Sequence, residues 1–122
     1  MWQIILPIVV VYLLTILISL FLTLDKLVRL EYSDHRPMWE KDGKPRGVFW
    51  RASETRKLFG IDIRSEWAFN RLSFVWLFST PEWMHSDPRA IRLVNRLRIL
   101  TFIWNASILL PIIVILVMVQ NK

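Results

Sequence analysis

The sequence predicts an all-α membrane protein with two transmembrane helices, and its charge pattern carries that prediction. Residues 4–24 and residues 99–119 are two runs of 21 residues each that contain no charged side chain. As helices, each would be about 31 Å long, which is enough to cross the roughly 30 Å hydrocarbon core of a bilayer. Residues 25–98 hold all ten acidic residues and 15 of the 16 Lys and Arg. We expect residues 1–24 and 99–122 to form an antiparallel transmembrane hairpin around a polar segment, 25–98.

Basic residues flank both apolar runs on the side of the central segment. By the positive-inside rule, this bias places residues 25–98 in the cytoplasm and both termini outside. The same placement argues against nucleic acid as the reason for the net charge of +6. The first three residues carry no basic side chain and the run is long, so we expect an uncleaved anchor rather than a signal peptide. The flanking cations are Lys26, Arg29, Arg36, Arg89, Arg92, Arg96 and Arg98, against Lys122 alone outside.

Small polar residues share one face in each apolar run. The two polar faces sit at similar distances from the cytoplasmic ends of the runs. This favours contact of Ser19 with Asn105 and packing between helices, within one chain or between two copies. A substrate or proton path is the weaker alternative, because neither run contains an ionisable group. The predicted packing residues are Thr15, Ser19, Thr23, Thr101 and Asn105.

The central segment predicts short helices separated by turns. The first helix should run on through Tyr32 and end before Pro37, because proline disfavours a helical residue before it. Asp42-Gly43 predicts a turn and residues 47–50 a short strand, so one small β-hairpin is a further expected element. Residues 53–60 have the start and stop signals of a helix. Further start signals lie at residues 80–82 and 86–88, and from Pro88 we expect one long helix into the second run.

Residues 62–78 predict an aromatic amphipathic helix. Ala68, Leu72 and Trp76 share a face at helical spacing. A third transmembrane helix is disfavoured, because the stretch has only 17 residues and several of them are polar. We expect this helix to lie at the membrane interface or, slightly favoured, to dock a partner. The residues predicted to make that contact are Trp67, Phe69, Phe74, Trp76 and Phe78.

Three arginines share a face of the predicted last helix just before the second run. Arg89, Arg92 and Arg96 lie at spacings of three and four residues. Beside a membrane, such a face suits the anionic headgroups of lipids. The equal alternative is that these charges serve only to orient the chain in the membrane.

No residue pattern predicts catalysis. His35 and His85 could each supply an axial nitrogen to haem, but their polar surroundings favour solvated loop histidines, and no metal-binding spacing is present. With three glycines and no cysteine, the chain has no nucleotide-binding loop, no thiolate chemistry and no nucleophile motif. The sequence therefore predicts no catalytic residue, no metal and no cofactor. Seven tryptophans favour interfacial anchoring or protein binding over contact with a pigment or quinone.

Three stretches of the sequence carry a family resemblance. They are Asp42-Gly43 with residues 47–50, the Arg-Leu-Ser-Phe-Val-Trp stretch at 71–76, and the Arg-rich run at 89–98. In order and character they resemble the universal stress protein B family of small bacterial inner-membrane proteins. That family has one span at each end and a basic middle. The resemblance implies a bacterial inner membrane and a link to stress, without a mechanism.

The expected function is interaction rather than catalysis. The chain is predicted to be a non-enzymatic inner-membrane protein that binds a membrane complex or acts as a stress-linked membrane factor. The alternative is an accessory subunit of a respiratory or photosynthetic complex that contacts a cofactor. The expected partners are membrane lipids and either a membrane protein or a second copy of the chain, and not nucleic acid.

Overall fold

The computed structural model describes residues 1–52 and 63–122, and in that part of the chain every regular element is a helix. The predicted all-α class is therefore confirmed. The predicted helix at residues 53–60 lies outside the described residues. The helices are α1 (Trp2–Asp34), α2 (Arg36–Lys41), α3 (Ile63–Phe78), α4 (Glu82–His85) and α5 (Pro88–Gln120).

α1 and α5 are each 33 residues long, or about 50 Å, and each contains one of the apolar runs. By length and composition, both could cross a membrane. Only 6% of the most apolar stretch of α1 is buried within the protein, and none of that of α5. The two helices contact each other along their lengths, and Tyr12 of α1 meets Ser107 of α5 while Asp34 meets Arg89. Neither apolar run is therefore the buried core helix of a soluble domain.

The hydrophobic core lies beyond the apolar runs, in residues 25–52 and 63–98, which we call the head. Trp76, Met84 and Val94 are completely buried there, and they pack against the inner half of α1. Trp39 is also completely buried, and its indole N–H donates to the Pro45 carbonyl at 2.9 Å. The core cluster comprises Leu24, Leu27, Val28, Leu72, Trp76, Trp83, Met84, Ala90, Val94 and Leu97.

The predicted helix boundaries in the head are confirmed where the sequence has capping signals. α1 ends at Asp34, before Pro37 as predicted; the break lies at His35, whose φ of −132° is not helical, and α2 begins at Arg36 with Pro37 in its first turn. α5 begins at Pro88, and the Asp87 side chain caps it by accepting a hydrogen bond from the Arg89 backbone N–H at 3.0 Å. The short helix α4 follows the predicted start at residues 80–82.

The expected β-hairpin is not confirmed, because residues 44–52 contain no strand. Gly43 makes the predicted turn with a φ of +98°. Residues 47–50 form a second turn, closed by a 2.9 Å hydrogen bond from the Gly47 N–H to the Trp50 carbonyl. The Asp25 carboxylate of α1 accepts hydrogen bonds from the backbone N–H groups of Val48 and Phe49, the latter at 3.0 Å. The backbone therefore bonds to an α1 side chain instead of to a second strand.

Gly47 is required where this turn meets α1. A Cβ atom at position 47 would lie 2.8 Å from the carboxyl carbon of Asp25, closer than real Cβ contacts come. The turn can therefore approach the helix closely only because residue 47 is glycine. We call residues 47–50, held by Asp25, the docked turn.

Candidate docking and membrane-contact surfaces

α3 carries a row of exposed apolar side chains opposite its buried face. Ile63, Trp67, Phe74 and Phe78 are between 66% and 76% exposed, and their spacing places them on one side of the helix. The rings of Phe74 and Phe78 contact each other, with centroids 5.1 Å apart. We call these four residues the α3 stripe. An exposed row of large apolar residues marks a surface suited to binding.

The α3 stripe extends from the second apolar run into the head. At its lower end, Phe78 lines a groove together with Phe102, which is the fourth residue of that run. Further up α3, the Arg71 guanidinium donates a 2.7 Å hydrogen bond to the Asp42 carbonyl. Asp42 in turn lies close enough to Glu31 to shift its pKa. Glu31 is seven residues past the end of the first apolar run, so the middle of α3 lies well beyond that run. The helix α3 therefore extends away from the apolar runs instead of lying across their ends.

The structure divides the five residues predicted to make the docking contact. Trp67, Phe74 and Phe78 are exposed on the α3 stripe. Trp76 is completely buried in the core, and Phe69 is half-buried with the Arg46 guanidinium 4.3 Å from its ring centroid. Trp76 and Phe69 therefore belong to the protein's own packing. Aromatic content alone does not separate the two sets, because both faces of α3 are rich in aromatic residues.

The polar residues predicted to join the two apolar helices bond within their own helices. The hydroxyls of Thr15 and Thr23 donate to the carbonyls four residues earlier, at 2.8 and 2.7 Å. The Asn105 amide does the same at 2.8 Å, and it lines the groove beside Phe78. Ser19 and Thr101 supply the carbonyls that accept from Thr23 and Asn105. The expected contact of Ser19 with Asn105 is not among these bonds.

A different pair of hydroxyl groups connects α1 and α5. The Tyr12 hydroxyl and Ser107 Oγ are 3.1 Å apart and form a hydrogen bond between the two helices. Both residues line an open, mainly apolar groove of about 460 Å³ that also includes Pro111. The sequence did not indicate this pair, because the packing prediction rested on small polar residues and Tyr12 is large and aromatic.

The arginine face predicted for lipid headgroups is only partly free. Arg92 and Arg96 are exposed. Arg89 is bound within the head, because its guanidinium donates to Asp34 and, at 3.2 Å, to Asp87. Arg89 together with His35 holds the pKa of Asp87 well below its usual range. Arg89 thus ties α5 to the end of α1, a role that its place in a basic stripe did not indicate.

The two histidines differ in their surroundings. His85 is exposed, as expected for a solvated histidine. His35 is half-buried, its Nε2 lies 3.0 Å from an Asp87 carboxylate oxygen, and its ring packs on Trp83 with centroids 4.7 Å apart. The prediction of a solvated loop histidine is therefore wrong for His35. Within residues 1–52 and 63–122, no group of three or more His, Asp and Glu side chains is placed to hold a metal ion.

Glu31 is the most unusual titratable group in the head, and the sequence analysis did not single it out. Its side chain is completely buried. Burial, assisted by the neighbouring Asp42, raises the pKa of Glu31 to about 9, against a smaller opposing effect of Trp83. Neither carboxyl oxygen has hydrogen-bond geometry to a described donor, so these residues act on it as close neighbours rather than bonded partners. The side chain is therefore uncharged at neutral pH and compatible with the apolar core.

Comparisons with family models, with curated proteins and with solved structures find no match to this chain. Function is therefore argued from the surfaces themselves.

Proposed function

We propose that the chain is a two-span membrane protein in which α1 and α5 cross the bilayer as an antiparallel hairpin. The exposure of both apolar runs supports this, because runs of that length would be unstable in water without a cover. The one-sided placement of Lys and Arg supports a cytoplasmic head with both termini outside.

Single cysteines test the orientation, since the chain has no cysteine of its own. Gln3→Cys, Lys41→Cys and Asn121→Cys all place the thiol at exposed positions. An impermeant thiol reagent applied to intact cells should label positions 3 and 121, and position 41 only after lysis. Labelling of position 41 in intact cells would refute a cytoplasmic head.

We further propose that the protein is a non-enzymatic interaction subunit whose α3 stripe binds a membrane-protein partner. The observation that carries this proposal is the continuity of the stripe with the apolar surface of α5 at Phe78 and Phe102. Phe102 is 74% exposed within the second apolar run. A partner that covers the whole stripe must therefore contact both the bilayer level and the head, as a membrane protein with a membrane-proximal domain does.

Lipid alone does not cover the upper half of the stripe. Trp67 precedes Phe78 by 11 residues, which is about 16 Å along the helix axis. With Phe78 at the edge of the hydrocarbon, Trp67 stands beyond the headgroup layer, which is only about 5–8 Å thick on each side. An amphipathic helix that binds lipid lies in the plane of the interface, whereas α3 extends away from that plane. These distances favour a protein partner over lipid.

Substitution at Trp67 tests the docking proposal. Trp67→Ser removes a large exposed side chain and leaves the buried face of α3 intact. If Trp67 anchors the interface, its loss should weaken the partner complex by about 2 kcal/mol, or roughly 30-fold. The measurement is recovery of the co-purifying membrane protein after extraction in gentle detergent, followed by mass spectrometry.

Trp2→Ser is the matched control. Trp2 is 78% exposed, close to the 73% of Trp67, but it lies at the far end of α1. Equal recovery of the same partners with both variants would refute docking through α3. If the protein lost with Trp67→Ser is a second copy of this chain, the stripe is a dimer interface instead. Complete burial of Trp76 makes Trp76→Ser unsuitable, since it would disrupt the core.

The resemblance to the universal stress protein B family motivates the proposed setting, a bacterial inner membrane and a stress-linked role. Abundance of the protein in growing and in stressed cells is the corresponding test. Equal abundance in the two conditions would count against that role.

The second candidate is an accessory subunit that contacts a cofactor, and the groove at Tyr12 and Ser107 favours it. Its volume of about 460 Å³ falls within the range of small-molecule sites. The two hydroxyls could hydrogen-bond the polar group of an amphipathic ring compound, while the rest of the lining is mainly apolar and would contact its rings. The absorbance spectrum of the protein purified from its native membrane tests this candidate, because a bound haem, pigment or quinone would absorb.

A further inference from the structure

Two basic side chains of α1 have no acidic partner at the point where the first apolar run ends. Lys26 and Arg29 are exposed, and within residues 1–52 and 63–122 no acid pairs with either of them. Two other cations in the head do have acidic partners: the Arg46 guanidinium lies 2.5 Å from Glu66, and Arg89 bonds to Asp34 and Asp87. Two unpaired cations one turn apart form a site of concentrated positive charge.

These cations line a groove of about 330 Å³ between α1 and the docked turn. Its wall is fixed in place, because Asp25 holds the backbone of Val48 and Phe49 against the helix. Phe49 is 67% exposed, and its ring meets Phe21 of the first apolar run edge-on, with centroids 6.2 Å apart. The other lining residues are Leu22 and Trp50.

The acid that lines the groove is buried and occupied by the protein's own backbone. Asp25 is only 6% exposed, and its carboxylate already accepts two backbone N–H groups of the docked turn. Lys26 and Arg29 therefore remain the charged groups accessible from outside. An ammonium and a guanidinium at one site are the groups that proteins use to bind phosphate.

We propose that this groove binds the phosphate headgroup of an anionic phospholipid. The phosphate contacts Lys26 and Arg29, and the start of an acyl chain lies along Leu22 and Phe49. The apolar wall leads directly into the first apolar run, so a lipid fits it better than a free phosphate ion does. The inference rests on the proposed membrane insertion, but it is independent of docking through α3. It also differs from charge placement for orientation alone, which needs no groove and no aromatic wall.

Lipid binding by the purified full-length protein tests the site. The protein in mild detergent is titrated with phosphatidylglycerol and, separately, with phosphatidylcholine, and bound lipid is counted by native mass spectrometry. Lys26→Gln or Arg29→Gln should weaken phosphatidylglycerol binding about fivefold each and leave phosphatidylcholine unchanged. Lys41→Gln is the matched control, since Lys41 is also exposed but lies outside the groove. Equal losses in all three variants would overturn the site and leave only a diffuse surface charge.

Two further experiments distinguish a phospholipid headgroup from free phosphate as the bound group. Phe49→Ser should weaken phosphatidylglycerol binding without removing a charge. Inorganic phosphate, added in excess, should not displace the lipid. Displacement by inorganic phosphate, with no effect of Phe49→Ser, would overturn the lipid assignment. Membrane insertion is checked separately by resistance of the same variants to alkaline extraction, so a failure of the proposed hairpin is distinguishable from a failure of the lipid site.

Discussion

In most proteins apolar residues are buried and charged residues are exposed, but the two halves of α1 show the reverse. The outer half, up to Leu22, contains no charge, yet Ile16 is its only buried residue. The inner half, from Thr23 to Asp34, contains all five charged residues of the helix and six of its seven buried residues. The inner half is buried by protein, whereas residues 1–52 and 63–122 leave most of the outer half exposed.

The comparison shows that hydrophobicity and burial are separate properties in this molecule. Where the head packs on α1, even Asp25 and Glu31 are enclosed, one because it bonds to backbone N–H groups and the other because it is uncharged at neutral pH. Where only α5 packs on α1, most aliphatic side chains remain exposed.

Truncation of one leucine in each half should have very different effects on stability. Leu27 is completely buried and Leu14 is 50% exposed, and both lie on α1. Leu27→Ala should lower the free energy of unfolding of the head by about 2–5 kcal/mol, because it leaves a cavity. Leu14→Ala should change it by less than about 1 kcal/mol. Thermal unfolding in nanodiscs, followed by near-ultraviolet circular dichroism, measures both; similar losses would refute the division.

The buried Glu31 should make the stability of the head depend on pH. Burial raises its pKa from the usual 4.5 to about 9, so the folded head keeps a proton that the unfolded chain releases. Stability should therefore fall as pH rises from about 5 to about 9, by about 1.4 kcal/mol per pH unit at most. Glu31→Gln should remove this decline, which unfolding at a series of pH values measures.

Glu40→Gln is the control for the pH series, because Glu40 is exposed at the end of α2. It should leave the slope of stability against pH unchanged. The comparison of each variant with the wild type cancels the contributions of titrating groups that do not interact with the substituted side chain. An identical slope for wild type and Glu31→Gln would contradict a neutral buried carboxyl group.

The smallest expected effect concerns the contact between the outer halves of α1 and α5. Tyr12→Phe removes the hydroxyl that bonds to Ser107 and should weaken the pairing of the helices by about 0.6 kcal/mol, since hydrogen bonds in lipid contribute little. Asn105→Leu should weaken it less, because that amide bonds to the Thr101 carbonyl of its own helix. Denaturant titration in detergent micelles measures both, and a larger loss for Asn105→Leu would reverse the assignment.

The sequence predicts the elements of this fold better than their contacts. The long helix from Pro88, the end of α1 and the start of α4 follow from capping and proline rules that act within a few residues. The docked turn does not follow from such rules, because it depends on Asp25, which lies more than 20 residues away along the chain. A local pattern suggested a strand where a distant carboxylate determines a turn.

The sequence is equally unable to say which side chains of a helix are buried and which remain on the surface. The periodicity of residues 62–78 places Ala68, Leu72 and Trp76 on one face of the helix, and all three are buried. It does not exclude Trp76 from a docking surface, because every face of this helix contains aromatic or aliphatic residues. The Arg89 bridge and the buried Glu31 were likewise invisible, since both depend on which helix ends meet in space.

We propose that lipid covers the exposed outer halves of α1 and α5 but not the exposed stripe of α3. Ile8, Ile113 and Trp67 are 62%, 56% and 73% exposed in the protein alone, so a soluble protein would offer a thiol at all three positions. Ile8→Cys, Ile113→Cys and Trp67→Cys are reconstituted singly into nanodiscs and treated with a membrane-impermeant thiol reagent. If lipid covers the two apolar runs, the reagent should label position 67 rapidly and should not label positions 8 and 113. Labelling of all three positions at similar rates would contradict it.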